Sequence, residues 1–325
     1  MKVLITGITG FVGSHLADFL LAEAPGVEVY GTKRWRSPED NIRRIVEKIT
    51  LYDCDLRDLG SIIRVLEACK PGVVFHLAAQ SYVQSSYMAP VDTLDTNIIG
   101  TTNLLEAVRI TKQAPVIHIC SSSEVYGQVS PEDVPIREDC PLRPLSPYAV
   151  SKVGEDMIGY MYFEAYGIKT IRTRMFTHSG PRRGKVFVDS WYSYQLALIE
   201  AGKQEPVIRV GNLDSVRTFC DVRDTVRAYW TLVNECPPGE VYNIGGATTM
   251  TIREMLDMLL AMKTYDGDIK VEVDPALLRP ADVTLQIPCT EKFREQTGWE
   301  PEIPYERCLR DMLDYWRDQV ARGAT

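Results

Sequence analysis

The sequence of 325 residues is poor in metal-ligating pairs and in excess positive charge. Histidine occurs four times, and the eight cysteines, Cys54, Cys69, Cys120, Cys140, Cys220, Cys236, Cys289 and Cys308, form no CxxC pair and have no histidine at zinc-ligand spacing. No metal is expected, and the cysteines read as free thiols. The net charge of -8 and pI near 5.2 supply no clustered Lys and Arg for a phosphate backbone, so nucleic acid is not an expected partner. No apolar run reaches the roughly 20 residues of a membrane span. Met1-Lys2-Val3-Leu4-Ile5 enters a strand directly and builds no signal peptide. A cytoplasmic protein with no membrane partner is the expectation. Internal repeats and low-complexity tracts are also lacking.

What is present suits a globular enzyme of one large or two intimate domains, with 45% apolar and 25% charged residues. The strand Val3-Leu4-Ile5-Thr6 runs into Gly7-Ile8-Thr9-Gly10-Phe11-Val12-Gly13, and Val12, Leu16, Phe19 and Leu20 follow at helical spacing. A glycine turn between strand and helix is the context a dinucleotide site needs. Gly7 permits the tight turn, Gly10 lets the backbone approach a pyrophosphate, and Gly13 lets the helix pack close to the sheet. Gly7, Thr9, Gly10, Phe11, Val12 and Gly13 are therefore expected to bind the cofactor.

A second strand, Val27-Glu28-Val29-Tyr30, ends in Gly31-Thr32-Lys33-Arg34-Trp35-Arg36. The acid that would hold the ribose 2'-hydroxyl of NAD is missing there, and an Arg suits the 2'-phosphate of NADP. Arg34 is the expected ligand, with Arg36 second. Beyond the third strand, Asp55 and Leu56 are placed at the adenine, although an Asp there could equally cap the next helix. Leu77, Ala78 and Ala79 follow the strand at Val73, where small residues let a ribose lie on the backbone. Strands and amphipathic helices alternate throughout, which predicts an α/β fold with a doubly wound, Rossmann-type parallel sheet. The expected division is residues 1–175 for the NADP-binding domain, with later segments returning to it, and 176–325 for a smaller, mainly nucleotide-sugar-binding α/β region of shorter, interrupted elements.

Two stretches carry chemistry. Val116-Ile117-His118-Ile119-Cys120 reads as a buried strand that delivers Ser121-Ser122-Ser123-Glu124-Val125-Tyr126-Gly127 to its carboxyl end, where open α/β sheets bind ligands. Tyr148 and Lys152 lie four residues apart on a helix expected to run to about Tyr166, so phenol and ammonium share one face. Arg217 and Arg279 are read as loop residues whose forked donors suit a diphosphate.

These residues resemble the extended short-chain dehydrogenase/reductase family, through the glycine turn, the Asp55-Leu56 pair and the Tyr148/Lys152 motif. Ser122 to Gly127, Phe176-Thr177-His178, Pro181-Arg182-Arg183-Gly184, Gly211 to Asp214 and Arg279 to Val283 look like the GDP-mannose 4,6-dehydratases, and nearly as much like the GDP-4-keto-6-deoxymannose reductases. The resemblance implies a GDP-sugar substrate, with Ser123, Thr177, Arg183, Arg217 and Arg279 contacting it. It also implies a homodimer or homotetramer. The sequence departs from the dehydratases at Ser122, where they usually carry Thr, at Thr177, usually Asn, and at Ser179, usually Glu. Asp189, Ser190 and Trp191 replace a basic pattern.

Within that resemblance the groups have distinct roles. A free tyrosine, with a pKa of about 10, is a poor base at neutral pH, and the Lys152 charge is expected to bring Tyr148 toward the working range. Tyr148 takes the 4-hydroxyl proton, Ser122 bonds the 4-oxygen, and Glu124 removes the C5 proton as water leaves C6. Ser123 either assists the leaving hydroxyl or holds Glu124. The alternatives are an NADPH-dependent reductase and a non-catalytic NADP-binding sensor.

Overall fold

The computed structural model describes residues 1–323. Its first half alternates β1 (Lys2–Thr6), α1 (Phe11–Glu23), β2 (Glu28–Lys33), β3 (Thr50–Asp53), α2 (Leu59–Cys69), β4 (Val73–His76), α3 (Val83–Met88), α4 (Pro90–Leu94), α5 (Gly100–Thr111), β5 (Val116–Ser122), α6 (Pro147–Tyr166) and β6 (Thr170–Met175). There follow β7 (His178–Ser179), α7 (Val188–Glu200), β8 (Val207–Val210), β9 (Val216–Asp221), α8 (Val222–Glu235), β10 (Val241–Ile244), β11 (Thr248–Thr251), α9 (Ile252–Leu260), β12 (Lys270–Val273), β13 (Leu285–Gln286), α10 (Glu291–Thr297) and α11 (Tyr305–Ala321).

Seven strands form the central sheet in the order β10-β6-β5-β4-β1-β2-β3, and every neighbouring pair is parallel. The doubly wound parallel sheet read from the sequence is thus the fold. Successive side chains of a strand point to opposite faces, and β1 divides accordingly. Val3 and Ile5 pack with Leu16 and Leu20 of α1 and with Val226 and Tyr229 of α8. Leu4 turns to the other face, among Ile62 and Leu66 of α2 and Leu104 and Leu105 of α5. Strand order reverses between β1 and β4, and the crevice beyond the carboxyl ends of such strands is where ligands bind.

The segment after Met175 is less interrupted than its breaker-rich start suggests. Its helices α7, α8 and α11 run for 13, 14 and 17 residues. Leu196, Met255, Leu309 and Met312 build a separate core there, while α8 and β10 return to the first sheet.

Helix α6 starts and stops where the sequence says. Ser146 Oγ accepts the Ala149 N–H at 3.0 Å, Pro147 occupies the first turn, and Gly167 ends the helix at φ 67°. Its middle is anchored to β6, where the buried Asp156 carboxylate accepts from Arg172 Nη1 at 2.9 Å and Arg174 Nε at 2.7 Å. This anchoring fixes the helix that carries Tyr148 and Lys152.

Candidate active site

The turn after β1 leaves backbone amides free for an anion. Gly7 holds φ +69°, and a Cβ there would lie 2.9 Å from the Ala78 Cα. A Cβ on Gly13 would lie 2.4 Å from the Gly7 carbonyl oxygen, so α1 can approach the sheet only without one. Gly10 caps α1 with no side-chain hydrogen bond, and the first turn holds no acid. Unsatisfied N–H groups and the positive end of the helix dipole therefore face the crevice, which fits a dinucleotide pyrophosphate.

Arg34 is the first residue beyond β2, a strand longer than predicted by its Gly31-Thr32-Lys33 end. Lys33 is held by Asp53 at 2.9 Å and Glu39 at 3.3 Å. Arg36 stacks on the exposed Trp35, 4.5 Å from the ring centroid. The Arg34 guanidinium makes no ion pair among the described residues, so its charge is available to a phosphate. Strand β3 stops at Asp53, which puts Asp55 two residues beyond the strand end. Asp55 accepts from Arg57 Nε at 3.1 Å and Nη2 at 3.0 Å, and these bonds hold its carboxyl below the usual range. The cap of α2 is Asp58, not Asp55. Across the turn, the Leu77 and Ala78 N–H groups donate to Thr6 Oγ1, each at 3.1 Å, bringing the end of β4 against β1.

Ser122 closes β5, and its Oγ accepts the Glu124 N–H at 3.2 Å. Ser121 Oγ donates to the Lys152 carbonyl at 3.1 Å, tying this strand end to α6. Lys152 Nζ donates to the Cys120 carbonyl at 2.9 Å and to Glu155 Oε2 at 3.0 Å, and it lies 5.9 Å from the Tyr148 ring centroid. Burial pushes the Tyr148 phenol up to about 12, while the Lys152 charge and the Ser122 hydroxyl pull it down. The expected action of Lys152 is present in direction but is outweighed by desolvation, and Glu155 offsets part of its charge. Burial likewise pushes Glu155 up to about 7 against the pull of Lys152.

Glu124 stands in the 3-10 turn Ser123–Tyr126 directly after β5. Its Oε1 lies 3.7 Å from Arg279 Nη1. Ser123 does not hold it, because Ser123 Oγ donates to Gln286 Oε1 at 3.2 Å. Arg217 is a strand residue of β9 and not a loop residue as read from its polar surroundings. Its guanidinium donates to the carbonyls of Val216 and Val283. Burial lowers its pKa, with Glu124 and Asp282 acting in the opposite sense. Arg183 Nε lies 3.3 Å from the buried Asp189 and its guanidinium 4.6 Å from the Phe187 ring. That acid, one of the departures noted in the sequence, already matches its charge. Thr177 lies beside β9, its carbonyl accepting the Cys220 N–H at 2.9 Å.

One cleft of about 1220 Å³ is lined by every candidate cofactor, catalytic and sugar-contact residue named above except Arg36, from the glycine turn to Arg279. Two further residues were missed. Glu155 is three positions from Lys152 on the same helix, a spacing that signals the contact. Gln286 gives no local signal, since it reaches the cleft only by the pairing of β13 with β9, opposite Arg217.

Residues 4–312 match the family model described as GDP-mannose 4,6 dehydratase. The chain is 34% identical to a GDP-mannose 4,6-dehydratase of Yersinia enterocolitica, covering 96% of this chain and 92% of that one. It is 31% identical to a GDP-6-deoxy-D-mannose reductase of Pseudomonas aeruginosa, covering 98% of each. Among solved structures, RMD from Pseudomonas aeruginosa complexed with NADPH superimposes with a TM-score of 0.85 at 29% identity, over 98% of this chain and 99% of that one. A UDP-glucose 4-epimerase of Thermotoga maritima with UDP-glucose gives 0.87 at 28% identity, over 98% and 100%. With near-complete coverage of relatives and a cleft built from the residues that carry the likeness, the chain belongs to the GDP-mannose 4,6-dehydratase family.

Proposed function

We propose that the chain converts GDP-mannose to GDP-4-keto-6-deoxymannose by an internal hydride transfer through bound NADP. The observation that carries this reading is the Glu124 carboxylate, set two residues past Ser122 in the same cleft as Tyr148 and Lys152. A redox site that only oxidises and reduces C4 needs the hydroxyl, phenol and amine; elimination of water from C5 and C6 also needs a carboxylate base. Bound NADP would supply the acceptor for the C4 hydride and the donor that delivers it to C6. The first-turn amides of Phe11 and Val12 would hold its pyrophosphate, Arg34 its 2'-phosphate, and Lys152 its nicotinamide ribose.

Tyr148 accepts the 4-hydroxyl proton only as phenolate, the form that the Lys152 charge favours against burial, while the Ser122 hydroxyl donates to the 4-oxygen as carbonyl character grows. The new ketone acidifies C5–H; Glu124 takes that proton and passes it to the departing C6 hydroxyl, which leaves as water, and C5 regains one proton as hydride returns to C6, balancing the proton that Tyr148 took. Arg279 and Arg217 face the same end of the cleft as Glu124 and supply positive charge for the nucleotide diphosphate. Residues 1–175 serve as the NADP domain and 176–325 mainly as the sugar-nucleotide region. A second copy of the chain covers α6, whose Val150, Met157, Tyr160 and Met161 are exposed apolar side chains in one helical stripe. The eight free cysteines suit a reducing, cytoplasmic setting.

The likeness to a reductase supplies the second reading, in which NADPH is consumed. Incubation with GDP-mannose and a catalytic amount of NADP tests the choice. GDP-4-keto-6-deoxymannose is the expected product, and Glu124→Gln is expected to abolish elimination while sparing cofactor binding. No product, together with stoichiometric NADPH oxidation on the keto-sugar, rejects the dehydratase reading. A cofactor whose absorbance no nucleotide sugar changes would instead indicate a sensor.

A further inference from the structure

Gln286 is a buried amide on the wall of the cleft, 2% exposed, and its Nε2 has no hydrogen-bond partner among the described residues. A buried N–H left unpaired costs about 1–3 kcal/mol of desolvation, so native proteins rarely keep one without a use. The other end of the amide is fixed, because Oε1 accepts the Ser123 hydroxyl at 3.2 Å. Ser123 has one proton, and this bond commits it. At this corner of the cleft the uncommitted donor is therefore Gln286 Nε2, not Ser123 Oγ.

We infer that Gln286 is a sugar-contacting residue that donates a hydrogen bond from Nε2 to the C6 oxygen of the substrate. The inference rests on the dehydratase reading, through adjacency. Glu124 acts at C5, its neighbour Ser123 holds Gln286, and C6 is the carbon next to C5. The amide gives up no proton; it orients the C6 oxygen and stabilises the electron density that gathers on it as the C6–O bond breaks.

The test compares GDP, GDP-mannose and GDP-6-deoxymannose by calorimetry, in a Tyr148→Phe background that blocks turnover. GDP-6-deoxymannose lacks only the C6 oxygen. The unsubstituted Gln286 protein should prefer GDP-mannose by about three- to tenfold, the worth of one neutral hydrogen bond. Gln286→Leu should erase that preference while leaving GDP affinity unchanged, which also reports an intact fold. Gln286→Met keeps the length of the side chain but has no N–H and no oxygen acceptor, and it should erase the preference as well. A preference that survives in either variant, or that is absent before substitution, overturns the inference. Failure to bind any GDP-sugar while Gln286 is in place rejects the functional reading itself, and this inference with it.

Discussion

Lys152 Nζ sits 3.0 Å from Glu155 Oε2, one turn along α6, in a site where both side chains are nearly inaccessible to water. The ammonium that should favour the Tyr148 phenolate thus carries its own counter-ion. Glu155 raises the phenol, Lys152 lowers it, and burial decides the result at about 12. Glu155→Gln removes the negative charge and keeps the shape. Hydride transfer from C4 should then reach its high-pH plateau at lower pH than in the unaltered protein, because the phenolate is better stabilised. Single-turnover absorbance of the cofactor across pH reads this, and an unmoved or upward-moved profile would sink the role given to Glu155.

Arg34 supplies the second test. Its unpaired charge at the end of β2 fits a phosphate, and a charge-assisted hydrogen bond is worth about 1.5–3 kcal/mol. Arg34→Ala should weaken NADP binding roughly ten- to hundredfold while changing NAD binding little. Fluorescence titration with both cofactors measures it. An unchanged ratio of the two affinities would remove Arg34 from the cofactor site.

The parts of the site that the sequence made legible are those whose partners lie close along the chain. The glycine turn, the i,i+4 pair of Tyr148 and Lys152, and the Ser146 cap are local patterns with local causes. Arg217 was misread because a strand two residues past a polar turn has no strong periodicity, and its pairing with β11 and β13 comes from distant segments. The Tyr148 phenol was misjudged for a related reason. Charge is visible in a sequence, but desolvation depends on what packs around the group, and here it outweighs the charge.

The exposed stripe on α6 leads to a prediction on assembly. Met157 is 40% exposed in the middle of that stripe. Met157→Asp places a charge where two copies would meet, and sedimentation should shift from an oligomer to the monomer mass of the 36.7 kDa chain. Cofactor binding should survive, since Tyr148 and Lys152 lie on the buried face. An unaltered oligomer mass would mean that another surface makes the contact.

Acid stability gives the last prediction, and its sign follows from burial. Burial lowers His76 and His118 to about 3 and His15 and His178 to about 4, all from 6.5. His76 is held neutral between Thr6 Oγ1 at 3.0 Å and Thr101 Oγ1 at 2.9 Å. Between pH 6.5 and 4 the unfolded chain binds protons that these four rings refuse in the folded state, so stability is present above pH 6.5 and is lost as pH falls. Glu155 works in reverse, because its carboxyl, raised to about 7, holds a proton in the folded state that the unfolded chain has released. Four groups less one leave a slope of about 4 kcal/mol per pH unit near pH 5.5, at about 1.4 kcal/mol for each. Denaturant midpoints taken from pH 7 to 5 should fall accordingly. His118→Gln should flatten the decline by about a third and Glu155→Gln should steepen it by a similar amount. A midpoint that holds steady to pH 5 in all three proteins would show that these rings are protonated as readily in the fold as in water.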